Sequence, residues 1–497
     1  MFKRFQKEKI NRRRENTFRD ILTTFQKSAD FVSFRVSDQS PFCFHYLDPL
    51  VDDRYLHDEA LAYTKRKDMH TLRDLQRAIP LEETNILCKG KEIEEHFLSG
   101  HIIIQKKGQT EEVLSLPAEL IEKRSIETPE NEFTVVGPNE AFIESIDVNL
   151  NLIRKRLRTS DLVVEEMKVG RFSQSRVAIL YMDGLTNKQL VQTLRQRIQD
   201  VDYDELVDIS QINQFITDYP NSFIPQLLET ERPERVTSGL AEGKVVFMMD
   251  GSPHMTIGPT NFMEFFSSPD DHYMLWPIGS AFRLIRIVAL LFSVHATSFY
   301  IAVTSYHHEL IPDELLDTLI ASRIEVPYPP IVEVVILELT VELLREAGAR
   351  LPSRIGQTIG IVGGIVIGTA VVEASLASSV LLIMIGITAL ASFTAPIYKM
   401  GNTIRLIRFP FVIFAQVFGI FGMAFCSGLY LYHLFKLTSL GYPYLAPLYP
   451  LRLQDLRDVI FKMPIQKQQK RPMVLRPQKR KRFDVKHRKT IPKDIEE

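Results

Sequence analysis

Between Ile287 and Tyr306 this chain contains no Asp, Glu, Lys or Arg, and the same holds from Ile355 to Val372. A lipid hydrocarbon core about 30 Å thick is crossed by roughly 20 apolar residues, because a helix rises about 1.5 Å per residue. Ile287–Tyr306 meets that length, and Trp276, Arg283 and Arg286 precede it. Ile355–Ala374, Ala377–Ala395 and the aromatic-rich Phe409–Leu434 meet it as well. Backbone groups inside lipid find no water, so helices are expected there. The averages conceal this division, since 45% hydrophobic and 24% charged residues over 497 positions would suit a soluble enzyme. The expected fold class is therefore an α+β soluble N-terminal region in two subdomains, followed by an all-α multi-pass transmembrane helical domain.

Ile355–Ala374 (IGQTIGIVGGIVIGTAVVEA) is the most informative segment. Gly356, Gly360, Gly364 and Gly368 recur at every fourth residue. A row of glycines lets a neighbouring helix backbone approach closely, and otherwise glycine only weakens a helix. Thr358, Val362, Ile365, Thr369 and Glu373 recur elsewhere on the helix at steps of 4, 3, 4 and 4. Small hydroxyls and modest aliphatics ending in a carboxylate suit a narrow pore wall, with apolar residues gating by dewetting and glutamates favouring cations. The alternative is that this stripe faces another helix and Glu373 only ends a turn.

Ile331–Glu346 (IVEVVILELTVELLRE) is apolar enough to be buried, yet Glu333, Glu338, Glu342 and Glu346 punctuate it. Ionised carboxylates avoid lipid, so these must face protein, water or the interface. Glu338, Glu342 and Glu346 fall on one stripe at i, i+4 and i+8, and Arg345 can pair with Glu342. The stripe reads either as an amphipathic bundle helix or as a carboxylate-lined cation path. Counting it as a span gives five crossings; leaving it as a membrane-embedded amphipathic helix gives four. The arginines Arg350 and Arg354 favour five and the basic tail favours four, by the excess of Lys and Arg on the inner side.

The domain boundaries expected are 1–126 for a first soluble α+β subdomain, 127–275 for a second of α/β type, 276–440 for the helical domain and 441–497 for a basic tail. The first subdomain shows helical stretches at Thr17–Ser28, Met69–Ala78 and Lys91–Leu98 and a strand at His101–Gln105. Polar Glu122–Glu132, with Pro129, reads as a linker. In the second, a helix within Asn139–Arg158 precedes strands at Leu162–Val169 and Arg176–Asp183, a helix at Asn187–Ile198 and a strand at Lys244–Asp250, an order that predicts a βαβ unit. The Asp-Gly pairs that end the two strongest strands are accounted for by turn chemistry.

The basic segment Met1–Arg14 lacks an apolar core and does not read as a secretory signal. Cys43, Cys88 and Cys426 are scattered, which excludes a disulfide framework or a zinc site of their own. No phosphate loop, dinucleotide fingerprint, zinc-protease helix or nucleophile elbow is present, so no enzyme, cofactor or metal is expected. Arg452–Glu497 holds 15 Lys+Arg against 6 Asp+Glu. After a membrane domain that tail suits an anionic leaflet better than nucleic acid.

Val326–Ser379 (VPYPPIVEVVILELTVELLREAGARLPSRIGQTIGIVGGIVIGTAVVEASLASS) resembles the GerA-type family of spore germination proteins, the A subunits of nutrient germinant receptors. So do Glu231–Pro253 (ERPERVTSGLAEGKVVFMMDGSP), Ser268–Tyr273 (SPDDHY) and Ala389–Gly401 (ALASFTAPIYKMG), in the family's order from about Phe133 to Tyr449. The resemblance implies a multi-pass protein of the spore inner membrane with its N-terminal region on the cytoplasmic side. It implies a transporter-like B subunit that binds the germinant, a lipoprotein C subunit, and assembly as a homo-oligomeric ring, with a pentamer expected. Such a ring is implied to be a germinant-gated channel releasing monovalent cations. On this reading Val362 and Ile365 pinch the path and Glu373 gathers cations at its mouth. The rivals are a same-family accessory channel without its own nutrient-binding partner, a secondary transporter using the Glu338–Glu346 stripe, and a non-conducting scaffold.

Overall fold

The computed structural model describes residues 17–483 apart from 37–39, 65–68, 82, 110–111, 121–128, 130–131, 133, 135, 351–362, 367, 453–454, 457–458 and 460. The basic segment Met1–Arg14 and most of the expected linker lie outside the described residues.

The first soluble unit opens with α1 (Phe18–Phe25), whose start is fixed by Thr17 donating its hydroxyl and its backbone N–H to Asp20, at 2.6 and 3.2 Å. The chain continues through β1 (Phe31–Arg35), β2 (Phe42–Leu47), α2 (Leu72–Ala78), β3 (Asn85–Leu87), α3 (Gly90–Leu98), β4 (His101–Lys106) and β5 (Val113–Pro117). The sheet order is β1-β2-β4-β5-β3. Strand alternation splits the three isoleucines of β4 between two cores. Ile102 and Ile104 join Phe42 and Phe44, whereas Ile103 joins Phe25 and Phe97 under α1 and α3.

The second unit runs α4 (Ile146–Arg156), β6 (Leu162–Val169), β7 (Ser175–Met182), α5 (Lys188–Gln199), α6 (Ile209–Ile216), β8 (Leu228–Thr230), α7 (Pro233–Glu242), β9 (Val245–Met249) and β10 (Met255–Gly258). Its sheet order is β6-β7-β9-β10-β8, and each neighbouring pair is antiparallel. The expected βαβ unit is therefore corrected. β7 and β9 do pair, with Val177 opposite Met249, but in opposite directions. A parallel pair needs one crossover helix, whereas here the connection takes in α5, α6, the edge strand β8 and α7, and the chain re-enters from the other end. A buried ion pair locks the two units together. Arg154 donates to Asp30 at 2.8 and 2.9 Å and to Ser28 at 2.9 Å, and Ser28 Oγ accepts from the Val164 N–H.

The helical region has a near end, which touches the second unit, and a far end. α8 (Trp276–Ser305) leaves from the near end, and Tyr306 beyond it donates its hydroxyl to the Gln416 carbonyl. After α9 (Asp313–Arg323), α10 (Pro330–Arg350) returns. Residues 363–366 and 368–373 form a helix running outward again, from Leu344 beside Gly363 to a far-end core of Val371, Tyr300 and Val334. α11 (Ser379–Ser392) comes back. At 14 residues it is shorter than the expected span Ala377–Ala395, about 21 Å at 1.5 Å per residue.

α12 (Tyr398–Lys436) begins well before the expected Phe409. It is long and apolar enough to cross a membrane, as is α8. Straight, its 39 residues would span about 58 Å. Yet both ends sit on the second unit. Lys399 pairs with Glu229, Thr403 donates to the Phe223 carbonyl at 2.8 Å, and His433 lies 3.0 Å from Ser222. The reversal is at Gly419, whose φ of 59° and ψ of −140° break the helix. The two halves close on each other through Ile407, Phe411, Cys426 and Tyr430, and Phe414 meets Phe425 at 5.7 Å. α12 is a helical hairpin.

Of the residues expected as a separate tail, 441–497, the described ones run to 483 and fold back onto the second unit instead, and 484–497 lie outside the described residues. β11 (Thr438–Ser439) and β12 (Tyr442–Pro443) lead to Tyr444, which is fully buried beside Phe262 and Phe265 and donates to the Pro225 carbonyl at 2.7 Å. Farther on, Arg471 donates to the Ala241 carbonyl, the Gln478 N–H to the Leu185 carbonyl, and Arg482 pairs with Glu242 at 3.0 Å. Backbone acceptors and a carboxylate on the soluble unit thus hold side chains that the composition assigned to an anionic leaflet.

Candidate functional site

The helical region joins the soluble units through Asp271. Its carboxylate is buried and takes two cations from the first turns of α8, Arg283 at 3.3 Å and Arg286 at 3.2 Å. Arg286 also donates to the Phe266 carbonyl at 2.6 Å. An ion pair with several supporting hydrogen bonds fixes a direction, so Asp271 sets how α8 leaves the second unit. Nearby, burial pushes the Glu264 carboxyl upward while Lys244, at 2.5 Å, opposes the shift. On the other flank Glu231 accepts from His254 at 3.0 Å and raises its pKa.

The carboxylates of α10 each meet an arginine. Glu333, fully buried, accepts from the Ser378 N–H at 3.0 Å and from Arg323 at 3.2 Å. Glu338 accepts from Arg408 at 2.6 Å, and Arg408 also donates to Ser293 at 2.8 Å, which ties α10, α12 and α8 together. Glu342 pairs with Arg345, and Arg405 stands 3.9 Å from its other oxygen. Glu346 pairs with Arg350 at 2.6 Å. Neutralised in this way the stripe packs helices together at modest cost, since a charge in a low-dielectric bundle is tolerated when paired. Arg405 and Arg408 escaped the sequence reading, because α12 was expected to begin after them.

Of the glycine-rich segment, Gly356, Thr358, Gly360 and Val362 lie outside the described residues. The remainder divides into two faces. Gly363 and Gly368 approach Leu344 and Leu382, and Val371 is buried. Opposite them, Ile365 is 63% exposed, Val366, Thr369 and Glu373 are exposed, and no atom lies within 4 Å of where a Gly364 Cβ would be. Glu373 sits at the far end. Within one chain this face is uncovered and carries both a hydroxyl and a carboxylate. Among the described residues no cluster of three metal-ligating side chains occurs, and the three cysteines are unpaired thiols.

Residues 19–474 match the family described as Bacillus/Clostridium GerA spore germination protein. Spore germination protein GerQA of Bacillus cereus is 45% identical over 469 residues, which cover 94% of each chain. GerIA of the same organism is 40% identical over 481 residues, 96% of this chain and 72% of that one. Among solved structures, the N-terminal domain of the A subunit of the Bacillus megaterium spore germinant receptor GerK3 aligns at 23% identity and a TM-score of 0.37, over 50% of this chain and 96% of that one.

Proposed function

The chain belongs to the GerA family of spore germination proteins, and from that premise we propose that it is the A subunit of a nutrient germinant receptor, several copies of which enclose a cation-conducting pore. The observation that carries this reading is the uncovered face of the glycine-rich segment. A carboxylate that faces lipid is strongly unfavourable. Glu373 and Thr369 therefore face water or other copies, and a ring supplies both. Ile365, with Val362 one turn earlier, forms the apolar constriction; Glu373 forms a cation-attracting ring at the far mouth.

The helical region lies in the spore inner membrane and the soluble units in the cytoplasm. α8, α10, the glycine-rich segment, α11 and the two halves of α12 make six passes. An even number is supported by the chain after α12 resting on the same soluble unit that precedes α8. A transporter-like B subunit binds the nutrient, a lipoprotein C subunit completes the receptor, and the second soluble unit passes the shift to α8 through Asp271.

The test is conductance of the purified, assembled protein in planar bilayers. Wild type conducts monovalent cations in preference to anions, Ile365→Ala raises the basal current, and Glu373→Gln lowers the cation preference. Assembled protein that never conducts sinks the channel reading. Wild-type currents in both variants remove these residues from the path.

A further inference from the structure

Between α10, α11 and α12 at the near end lies a cleft with an imbalance of charge. Three guanidiniums line it, Arg345, Arg405 and Arg408, against two carboxylates, Glu338 and Glu342. Glu338 and Arg408 pair at 2.6 Å, with Glu338 Oε1 and Arg408 Nε left without a hydrogen-bond partner, and Glu342 alone faces Arg345 and Arg405. Both of those arginines also converge on one neutral atom, Asn402 Oδ1. Two like charges drawn to a single carbonyl oxygen repel each other, the more so where little water screens them. The Nε atoms of Arg345 and Arg405 are buried without a hydrogen-bond partner, though each is a donor. Planar guanidiniums with free donors and one uncompensated positive charge match the oxygens of a phosphate.

The position narrows the source of that phosphate. Arg405 lies seven residues into α12, about 10 Å from its start beside the soluble unit. Exposed Phe393 lines the same cleft. In a bilayer that is headgroup depth, with an apolar side chain directed at the acyl chains.

We propose that this cleft binds the phosphate of an anionic phospholipid headgroup in the leaflet nearest the soluble units, one phosphate oxygen replacing Asn402 between the two arginines. The proposal rests on the membrane placement given above and goes beyond it.

Thermal unfolding of the full-length protein in detergent tests it, titrated separately with phosphatidylglycerol, phosphatidylcholine and inorganic phosphate. Phosphatidylglycerol is expected to raise the midpoint at concentrations at least tenfold lower than phosphatidylcholine. The double variant R345Q/R405Q should need at least tenfold more phosphatidylglycerol, and Arg350→Gln, an exposed cation outside the cleft, should behave as wild type. Glu342→Gln removes the one opposing carboxylate and should tighten binding severalfold, a gain that misfolding cannot imitate. Protection by inorganic phosphate at equal concentration, with the same dependence on the variants, overturns the lipid as occupant while supporting the phosphate site. Equal response to both lipids, or variants indistinguishable from wild type, overturns the proposal. Conductance is scored separately: lost lipid dependence with intact currents refutes only this site, and absent currents with intact lipid dependence refute only the channel.

Discussion

Gly422 and Gly428 both lie in the second half of α12, and the hairpin gives them opposite fates. In a helix interior alanine is better than glycine by about 1 kcal/mol, so on propensity alone either substitution stabilises. No atom lies within 4 Å of a Cβ placed at Gly428. Gly428→Ala should therefore keep the full gain of about 1 kcal/mol. At Gly422 a Cβ would overlap the carbonyl of Phe414, and Phe418 Cβ would stand only 3.0 Å away. Phe414 is eight residues back along the chain, out of reach within one continuous helix, so the clash exists only because the chain reverses. Backbone cannot swing aside as a side chain can, and overpacking of this kind costs about 1–3 kcal/mol. The propensity gain is common to both, so the two variants should differ by the clash alone, about 1–3 kcal/mol, read as unfolding of the purified protein in mixed micelles with increasing SDS. If Gly422→Ala is as stable as Gly428→Ala, the two halves of α12 do not meet and the reversal at Gly419 is wrong.

The proposed ring would make a second glycine decisive. Gly364 faces open space in one chain, so Gly364→Leu should leave protomer stability within about 1 kcal/mol yet abolish the higher assembly seen by cross-linking; an intact assembly would show that no neighbour packs there. Arg154→Leu leaves Asp30 buried and unpaired and should cost about 3–5 kcal/mol in denaturant unfolding, whereas Arg171→Ala, from an exposed pair, should leave the unfolding midpoint where it is. Burial lowers the His45 pKa from 6.5 to about 4. Its neutral form is the folded one, so its contribution is complete above pH 6.5 and lost as pH falls toward 4, up to about 3 kcal/mol at 1.36 kcal/mol per unit. His45→Gln should reduce the slope of stability over that window in a pH series of urea melts, the remainder belonging to His101, which burial also lowers to about 4.

Local patterns carried the soluble elements. The run HIIIQ marked β4, and Leu162–Val169 and Asn187–Ile198 lie within a residue of β6 and α5. Direction was not legible there, because the sequence between Asp183 and Lys244 does not say how often the chain changes ends. The carboxylates of α10 were legible as residues that lipid would not accept. Their partners were not, since Arg323, Arg405 and Arg408 come from other helices. The uncovered side of the glycine-rich helix was legible as a stripe; which atoms cover the opposite side depends on Leu344 and Leu382, far along the chain.

The conflict over the number of passes has a physical origin in Gly419. Read as one span, Phe409–Leu434 forces a choice between placing Arg350 on the inner side and placing the basic tail there. On the proposed membrane placement a hairpin removes the choice, because it would add one pass without adding a loop of polar residues. Gly419 reaches a φ of 59°, where a side chain would be strained, and an added Cβ would lie 2.9 Å from His307 beside the end of α8. Seventeen apolar-rich residues then return to the soluble unit, where His433 and Tyr444 dock. Hydropathy averages over such a turn, since glycine is neither polar nor long. Arg350, Lys399 and the folded tail thus share the near end, and the excess of basic residues on one side follows from a single left-handed glycine.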